Sequence, residues 1–338
     1  MNATLVKYNN INFNGKNILI TGGAGFIGSN LAFYFQNNFP KARIFIFDCF
    51  RSNERFPNGN LQSFGHYKNL INFTGEIICG NINNSEDLRI LSNYNFDYIF
   101  HHAAISDTRV YDQEIIMRTN VNSFYEFLEM ARKNSAVLVY ASSAATYGSM
   151  PSPQKIGFEN PENPYGYSKY SMDQISKIYS QQYGLKIAGL RFFNVYGQGE
   201  YYKDKTSSMV IQLGHQILNG KSPGLFKDSE NIFRDFVYIE DAIQANIKAC
   251  ETDSYGVYNV GTGIPRSFKD ISDILQSELG TKLPINYIDN PYTGYQTHTQ
   301  ADLTESTLEI GYKPQFTLEE GIKEYIPYIK DKLNESLE

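Results

Sequence analysis

An α/β fold, a doubly wound parallel sheet with a smaller α/β C-terminal domain, is predicted by three features of this 338-residue chain. Short apolar runs bounded by glycine alternate with segments of helical spacing through the first half. A glycine triplet, Gly22-x-x-Gly25-x-x-Gly28, sits between the first apolar run and the first helical segment. After about residue 195 the character changes: Tyr and Asn rise and the elements shorten. Strands that alternate with helices argue for a parallel sheet covered on both sides.

Residues 1–15 read as a polar N-terminal extension. "KNILIT" (Lys16–Thr21) is a short apolar run of the kind buried on both faces of a sheet, and helical spacing follows over 26–38. The later strands are expected at "ARIFIF" (Ala42–Phe47), "EIIC" (Glu76–Cys79), "DYIFHH" (Asp97–His102), "AVLVYAS" (Ala136–Ser142) and "LKIAGLRFF" (Leu185–Phe193). Helical patterns over 85–93, 112–133 and 164–183 fill most of the gaps. Further helices are expected over 205–219, 240–251, 267–279 and 317–332. The division that follows is a nucleotide-binding domain over 16–195, with some later segments returning to it, and a mainly substrate-binding domain over 196–338. No internal repeat or low-complexity tract is present.

Bulk composition narrows the class. Apolar residues make up 41% and charged residues 20%, as in ordinary globular proteins. A net charge of −6 gives no general attraction to nucleic acid or anionic lipid, so an anionic ligand must be held by local basic groups. Cys49, Cys79 and Cys250 are scattered and outside metal-ligand spacing, so neither a disulfide frame nor a zinc site is expected. No apolar run reaches the roughly 18 residues of a membrane span. The first residues lack a basic stretch followed by an apolar one, so a secretory signal is not expected and the expected compartment is the cytoplasm.

The glycine triplet has strand–turn–helix context, the pattern of a Rossmann-type dinucleotide site. Gly22 suits the tight turn, Gly25 lets the backbone approach a pyrophosphate, and Gly28 lets helix and sheet pack closely. The helix N-terminus then offers N–H groups to phosphates. Asp48 follows at the roughly 20-residue distance at which an acid takes the ribose hydroxyls, which favours NAD. Arg51 and Arg55 come directly after it, and a guanidinium there suits the 2′-phosphate of NADP.

Proton-transfer residues come next. "NPYGYSKY" supplies Tyr165-x-x-x-Lys169 on an expected helix, and the i,i+4 spacing puts both side chains on one face. A nearby ammonium favours the phenolate and lowers a Tyr pKa from about 10. "ASSAATYG" offers Ser142 and Ser143 at a strand end, where ligands of open parallel sheets bind.

In this order the glycine motif, the strand-end Ser and the Tyr/Lys pair resemble the extended short-chain dehydrogenase/reductase superfamily, from about Lys16 to about Lys332. The resemblance puts Ser143 and Tyr165 at the substrate oxygen and Lys169 on the nicotinamide ribose. It makes Asn120, in "TNVN", a support for Lys169 through a hydrogen-bond network, and places His102, Ala103, Ala104, Ile105 and Ser106 along the nicotinamide side. Phe26, Ile27 and Val195 would also face the cofactor. Asn81, in "GNIN", stands where an Asp is more usual in the adenine-side turn, and an amide can both donate and accept.

Within the superfamily, 4,6-dehydratases follow the catalytic Ser position with an Asp-Glu pair; this chain has Ala144, Ala145 and Thr146. A simple 4-epimerase needs no second base after the sixth strand. This chain has Lys203 and Lys205 there, in "NVYGQGEYYKDKTSSM". That stretch, with "GKSPGLFKDSENIFRDFVYIEDA", "VYNVGTGIPRSF" and "GYQTHTQADLT", resembles the ADP-glycero-manno-heptose 6-epimerases. The resemblance implies inversion of C6 of the heptose of an ADP-sugar for the lipopolysaccharide inner core; the alternatives are epimerisation of another nucleotide sugar (a GDP-heptose, or a 4-epimerase reaction) and a catalytically silent NAD(P)-binding regulator. Tyr165 and Lys203 would be the two acid/bases, with Lys205 the alternative to Lys203. NADP would be tightly bound, with NAD the alternative, and Lys203 would also border the cofactor. Substrate contacts would fall on Asn194, Ser208, His215, Phe226, Lys227, Asp228, Ser229, Arg234 and Tyr295. The family tendency is toward homo-oligomers.

Overall fold

The structure, a computed structural model, describes residues 7–290 and 296–335. Its first half runs β1 (Asn17–Thr21), α1 (Phe26–Asn38), β2 (Arg43–Asp48), β3 (Glu76–Cys79), α2 (Ser85–Leu91), β4 (Tyr98–His101), α3 (Gln113–Ile116), α4 (Ser123–Asn134), β5 (Val137–Ser143), α5 (Pro164–Tyr183) and β6 (Ile187–Phe192). The second half runs β7 (Asn194–Tyr196), α6 (Met209–Leu218), β8 (Gly224–Phe226), β9 (Phe233–Tyr238), α7 (Ile239–Ala249), β10 (Tyr255–Val260), β11 (Pro265–Ser267), α8 (Phe268–Leu279), β12 (Asn286–Ile288), α9 (Thr304–Ile310) and α10 (Leu318–Lys332).

Seven strands form one parallel sheet in the order β10-β6-β5-β4-β1-β2-β3. This is the expected Rossmann-type doubly wound sheet. The order in which the chain adds strands reverses between β1 and β4, so a crevice opens at their carboxyl ends. Residues alternate between the two faces. Ile18, Ile20, Phe100, Val139, Ala188 and Leu190 join a core with α1, α7 and the C-terminal helices. Leu19, Ile99, Leu138 and Ile187 face a second core with α2, α4 and α5. That period-two alternation within wholly apolar runs is what a sheet buried on both sides requires. A three-stranded sheet β11-β9-β7 and the pair β12-β8 stand beyond the crevice.

Helices α1 and α5 match their expected bounds. For α5 the cause is local: Asn163 caps the helix by accepting from Gly166 N–H at 2.8 Å, Pro164 opens it, and Gly184 closes it at φ +67°. The helix expected over 112–133 is interrupted by a π-helical turn at Met117–Asn122. That turn presents Asn120 inward, where its Oδ1 accepts from Ile105 N–H at 2.8 Å and its Nδ2 donates to Ile105 O at 3.0 Å. The helix expected from 205 begins at Met209, because Tyr201–Thr206 is a 3-10 segment broken at Asp204 (φ +53°, ψ −130°). Among the described residues no helix is long and apolar enough to cross a membrane, and no group of three or more His, Cys, Asp or Glu could hold a metal ion.

Candidate active site

One cleft of about 1460 Å³ runs along the carboxyl ends of the parallel strands and on toward β8, β12 and α8. It exceeds the roughly 300–1,000 Å³ of a site for one small ligand, as a site for a dinucleotide beside a second nucleotide must.

The first end is built by the glycine loop. Gly22, at φ +67°, lies against the backbone of His102 and Ala103, where an added Cβ would come within 2.9 Å of His102 C and 2.8 Å of Ala103 N. Gly28 lies still closer to backbone: a Cβ there would be 2.3 Å from Gly22 O. Gly25 is the N-cap of α1 and carries no capping side chain, so the first N–H groups of the helix face the cleft without a side-chain oxygen in front of them. That cradle fits a pyrophosphate. Phe26, Ile27 and Asn81 also line it. The Asn81 side chain accepts from Asn83 N–H at 2.9 Å.

Asp48 lies on this wall but is tied to the backbone. Its Oδ2 accepts from Ala24 N–H at 2.9 Å and its Oδ1 from Phe50 N–H at 2.8 Å, with Gly65 pressed against the carboxylate. Burial pushes its pKa up, against those two bonds. The arginines depart from expectation, since neither is on the cleft wall. The Arg51 guanidinium lies toward His66 and Tyr201, where its charge is felt. Arg55 Nη1 donates to Gly59 O at 2.9 Å and stands 3.7 Å from Asp204. Arg55 is thus engaged within its own excursion and across the chain, whereas Arg51 keeps a buried Nη1 with no hydrogen-bond partner among the described residues. That excursion, 50–65, covers the cleft. Its Phe56 is buried with Ile105, Val110 and Ile116, and Asn58 and Asn60 donate to Asp107.

The floor carries the proton-transfer set. Ser142 donates to Asp173 Oδ2 at 3.1 Å, whereas Ser143 Oγ accepts from Ala145 N–H at 3.1 Å and stands beside the Tyr165 hydroxyl. Gly166 allows this approach, for a Cβ there would be 2.4 Å from Ala145 O. Lys169 is buried and donates to Ala141 O at 2.6 Å, with its Nζ 5.9 Å from the Tyr165 ring centre. Burial lowers the Lys169 pKa to about 8, opposed by Asp173. Tyr165 is raised by burial, with Ser143 opposing. The direction is opposite to the lowering expected from the ammonium, because the ammonium is drawn to the Ala141 carbonyl. Asn120 Nδ2 donates to Ser168 Oγ at 3.0 Å, next to Lys169 in α5.

His102, Ala103, Ala104, Ile105 and Ser106 line the cleft, as does Val195. His102 Nε2 pairs with Asn246 Oδ1 at 2.9 Å, while Nδ1 has no hydrogen-bond partner among the described residues. Burial takes this imidazole down to about 4, so it is neutral at pH 7.

Lys203 and Lys205 both border the cleft. Lys203 Nζ stands 5.7 Å over the Phe26 ring and is lowered by burial, against the charges of Glu200 and Asp107. Lys205 is exposed. Asn194, Ser208, Phe226 and Arg234 line the far half, with Gln212, Gln216, Phe236 and Phe268. Arg234 Nη1 donates to Phe233 O at 2.8 Å and Nη2 to Gln296 O at 2.5 Å, so the fork expected to meet a diphosphate engages two carbonyls.

Four substrate expectations fall off this wall. His215 Nε2 pairs with Ile329 O at 3.0 Å, and the ring packs on Tyr201 behind the Lys203 segment. Lys227 pairs with Asp289 at 2.8 Å in solvent, Asp228 forms a left-handed turn at φ +60°, and Ser229 is buried. Tyr295 lies outside the described residues. The sequence reading missed Glu200, Asp107, Asp173 and Arg191, all buried charges around the site. For Asp173 a signal existed: it follows Lys169 by one helical turn on the same face.

Comparison with known proteins supplies the last observations. The model of the NAD dependent epimerase/dehydratase family matches residues 18–261. The chain is 47% identical to Helicobacter pylori ADP-L-glycero-D-manno-heptose-6-epimerase, covering 96% of this chain and 99% of that one, with a TM-score of 0.89. It is 28% identical to UDP-glucose 4-epimerase of Thermotoga maritima (94% and 100% covered, TM-score 0.83). It is 26% identical to UDP-glucuronic acid 4-epimerase of Bacillus cereus, solved with NAD (93% and 99% covered, TM-score 0.80).

Proposed function

The chain belongs to the NAD dependent epimerase/dehydratase family, and from that premise we propose that it inverts C6 of the heptose of ADP-D-glycero-D-manno-heptose, giving the L-glycero epimer for lipopolysaccharide inner-core synthesis. The observation that carries this reading is a second amine, the half-buried Lys203, on the cleft that already holds Tyr165 and Lys169. The 47% identity to the Helicobacter pylori enzyme supports the same substrate.

Bound in the glycine cradle, a nicotinamide dinucleotide supplies reversible oxidation of the sugar carbon. The rest falls to the chain. Tyr165 Oη takes the proton from the C6 hydroxyl of one epimer, while Ser143 Oγ donates to the same oxygen. C6 is exocyclic, so the arm can turn about C5–C6 and present its other face. The oxygen then points away from Tyr165 and needs a second donor. Lys203 Nζ gives that proton, and in the reverse direction takes it back. A 4-epimerase acts on a ring carbon, where no such swivel exists, and has no use for the second amine. We propose NADP as the form held, with NAD the alternative; Arg51, three residues after Asp48, keeps a buried Nη1 without a hydrogen-bond partner among the described residues, a group suited to a 2′-phosphate.

The test is incubation of the purified protein with ADP-D-glycero-D-manno-heptose, with Lys203→Ala, Lys205→Ala and Tyr165→Phe beside it. Epimerisation by the wild type is expected, with loss of about 10²-fold or more in Lys203→Ala and Tyr165→Phe and retention in Lys205→Ala. Turnover of a UDP- or GDP-sugar in place of the heptose would overturn the substrate, and full activity in Lys203→Ala would overturn the two-donor scheme. Dinucleotide released from the denatured protein should be NADP; NAD would overturn that assignment.

A further inference from the structure

The segment that carries Lys203 is closed by one buried carboxylate. Glu200 is 0% exposed. Its Oε1 accepts from Gly197 N–H at 3.1 Å and from Ser208 Oγ at 2.7 Å, and its Oε2 accepts from Ser208 N–H at 2.6 Å. Both ends of the stretch from Gly197 to Ser208 therefore converge on a single side chain. Lys203 N–H donates to the Glu200 carbonyl at 2.9 Å, so the lysine sits one turn beyond the staple. Directly after it Asp204 adopts φ +53°, a backbone state that a non-glycine residue keeps only where its surroundings over-determine it.

We propose that Glu200 is the positioning residue for Lys203: its carboxylate ties the ends of this segment together and supplies the buried negative charge against which the ammonium is held on the cleft. The proposal rests on the reading of Lys203 as the second proton-transfer group. Two carboxylates bear on that ammonium. Glu200 is the stronger and Asp107, across the cleft, the weaker. Asp107 is shared with Asn58, Asn60 and Arg109, so its charge is partly spent elsewhere. Glu200 has Tyr196, Tyr325 and Tyr328 as its other titratable neighbours, all neutral phenols at pH 7 because burial raises them. Burial raises the Glu200 pKa, and the Lys203 charge is the strongest influence against that rise, ahead of the Ser208 and Gly197 bonds. Arg55 and Asp204 pair with each other on the outer side of the segment.

The experiment reads Lys203 without any sugar. In the protein as purified, with its bound dinucleotide, the rate of acetylation of Lys203 by acetic anhydride is followed against pH by peptide mass spectrometry. Exposed Lys205 serves as the internal reference. In Glu200→Gln the labelling midpoint of Lys203 should fall by about one pH unit or more, the shift that an opposite charge close by sustains, while Lys205 is unmoved. An unchanged Lys203 midpoint in folded Glu200→Gln would overturn the proposal. Should that variant fail to fold, Ser208→Ala, which removes one of the three bonds, should speed hydrogen exchange across 197–208 and leave α5 unchanged; unaltered exchange would overturn the staple. A wild type inert toward ADP-heptose counts against the substrate reading alone, since the labelling does not involve it.

Discussion

Asp173→Asn offers a sharp test of how the floor of the cleft works. Asp173 is fully buried one turn after Lys169 and is the charge that supports its ammonium. Its Oδ2 accepts from Arg191 Nε at 3.0 Å, Arg191 Nη2 at 2.8 Å and Ser142 Oγ at 3.1 Å, and its Oδ1 accepts from Tyr140 Oη at 2.8 Å. Asparagine can keep its carbonyl where Oδ2 stands and turn its amide toward Tyr140, whose hydroxyl can accept instead. The hydrogen bonds survive and the charge does not. Arg191 retains Glu159 at 2.5 Å and the Tyr147 ring, so stability should fall by less than the about 3–5 kcal/mol of a broken buried pair.

The functional effect has a sign and a pH window. Lys169 sits at about 8, lowered by burial and held up by Asp173. Removing a neighbouring opposite charge should drop it by about one further unit. Near pH 8 the protonated fraction then falls from about a half to about a tenth, and turnover falls about fivefold with it. Near pH 6 both proteins are almost wholly protonated, and the difference closes. The assay is kcat against pH for wild type and variant, well below either melting temperature. A loss of equal size at every pH would refute the electrostatic account and leave Asp173 a packing residue.

Gly28→Ala forces a Cβ to 2.3 Å from Gly22 O, which as backbone cannot yield cheaply; a stability loss of about 1–3 kcal/mol and loss of the co-purifying dinucleotide are expected, and a variant of unchanged melting temperature and full dinucleotide content would contradict this. Glu335 gathers Lys68 and Tyr202 Oη, each at 2.6 Å, and Lys332 on its carboxylate, so that, although burial pushes its pKa up, these bonds bring it down to about 2. A depressed carboxylate adds stability above its unfolded value of 4.5 and loses it as pH falls toward about 2. Glu335→Gln should therefore melt below wild type at pH 7, with the gap closing through that window in thermal unfolding; a gap independent of pH would refute it.

What the sequence disclosed was whatever depends on neighbours along the chain. The buried strands show as apolar runs, the pyrophosphate cradle as spaced glycines before a helix, and α5 as a cap, a proline and a closing glycine. Side-chain direction was not legible, because it is settled by partners far away. Arg55 is pulled to Asp204, and His215 to the carbonyl of Ile329. Nothing near either residue announces these contacts. Three-residue strands such as β7 and β11 are too short to impress a period on the sequence. The π turn at 117–122 lies inside a continuous helical pattern, and only the buried pairing of Asn120 with Ile105 reveals it.

The same distinction bears on Lys203 and Lys205, which spacing alone leaves equivalent. The break at Asp204 sends them to different environments: one over the Phe26 ring between two carboxylates, the other into solvent. A proton donor to a sugar oxygen must lose its hydration before it can deliver, and a half-buried amine has already shed part of it, while an exposed one must shed more in every turnover. Burial pushes that amine toward its neutral form, in which it has no proton to give. The buried acids around it oppose that loss, which is why a lysine in this position needs a carboxylate such as Glu200 within its own turn.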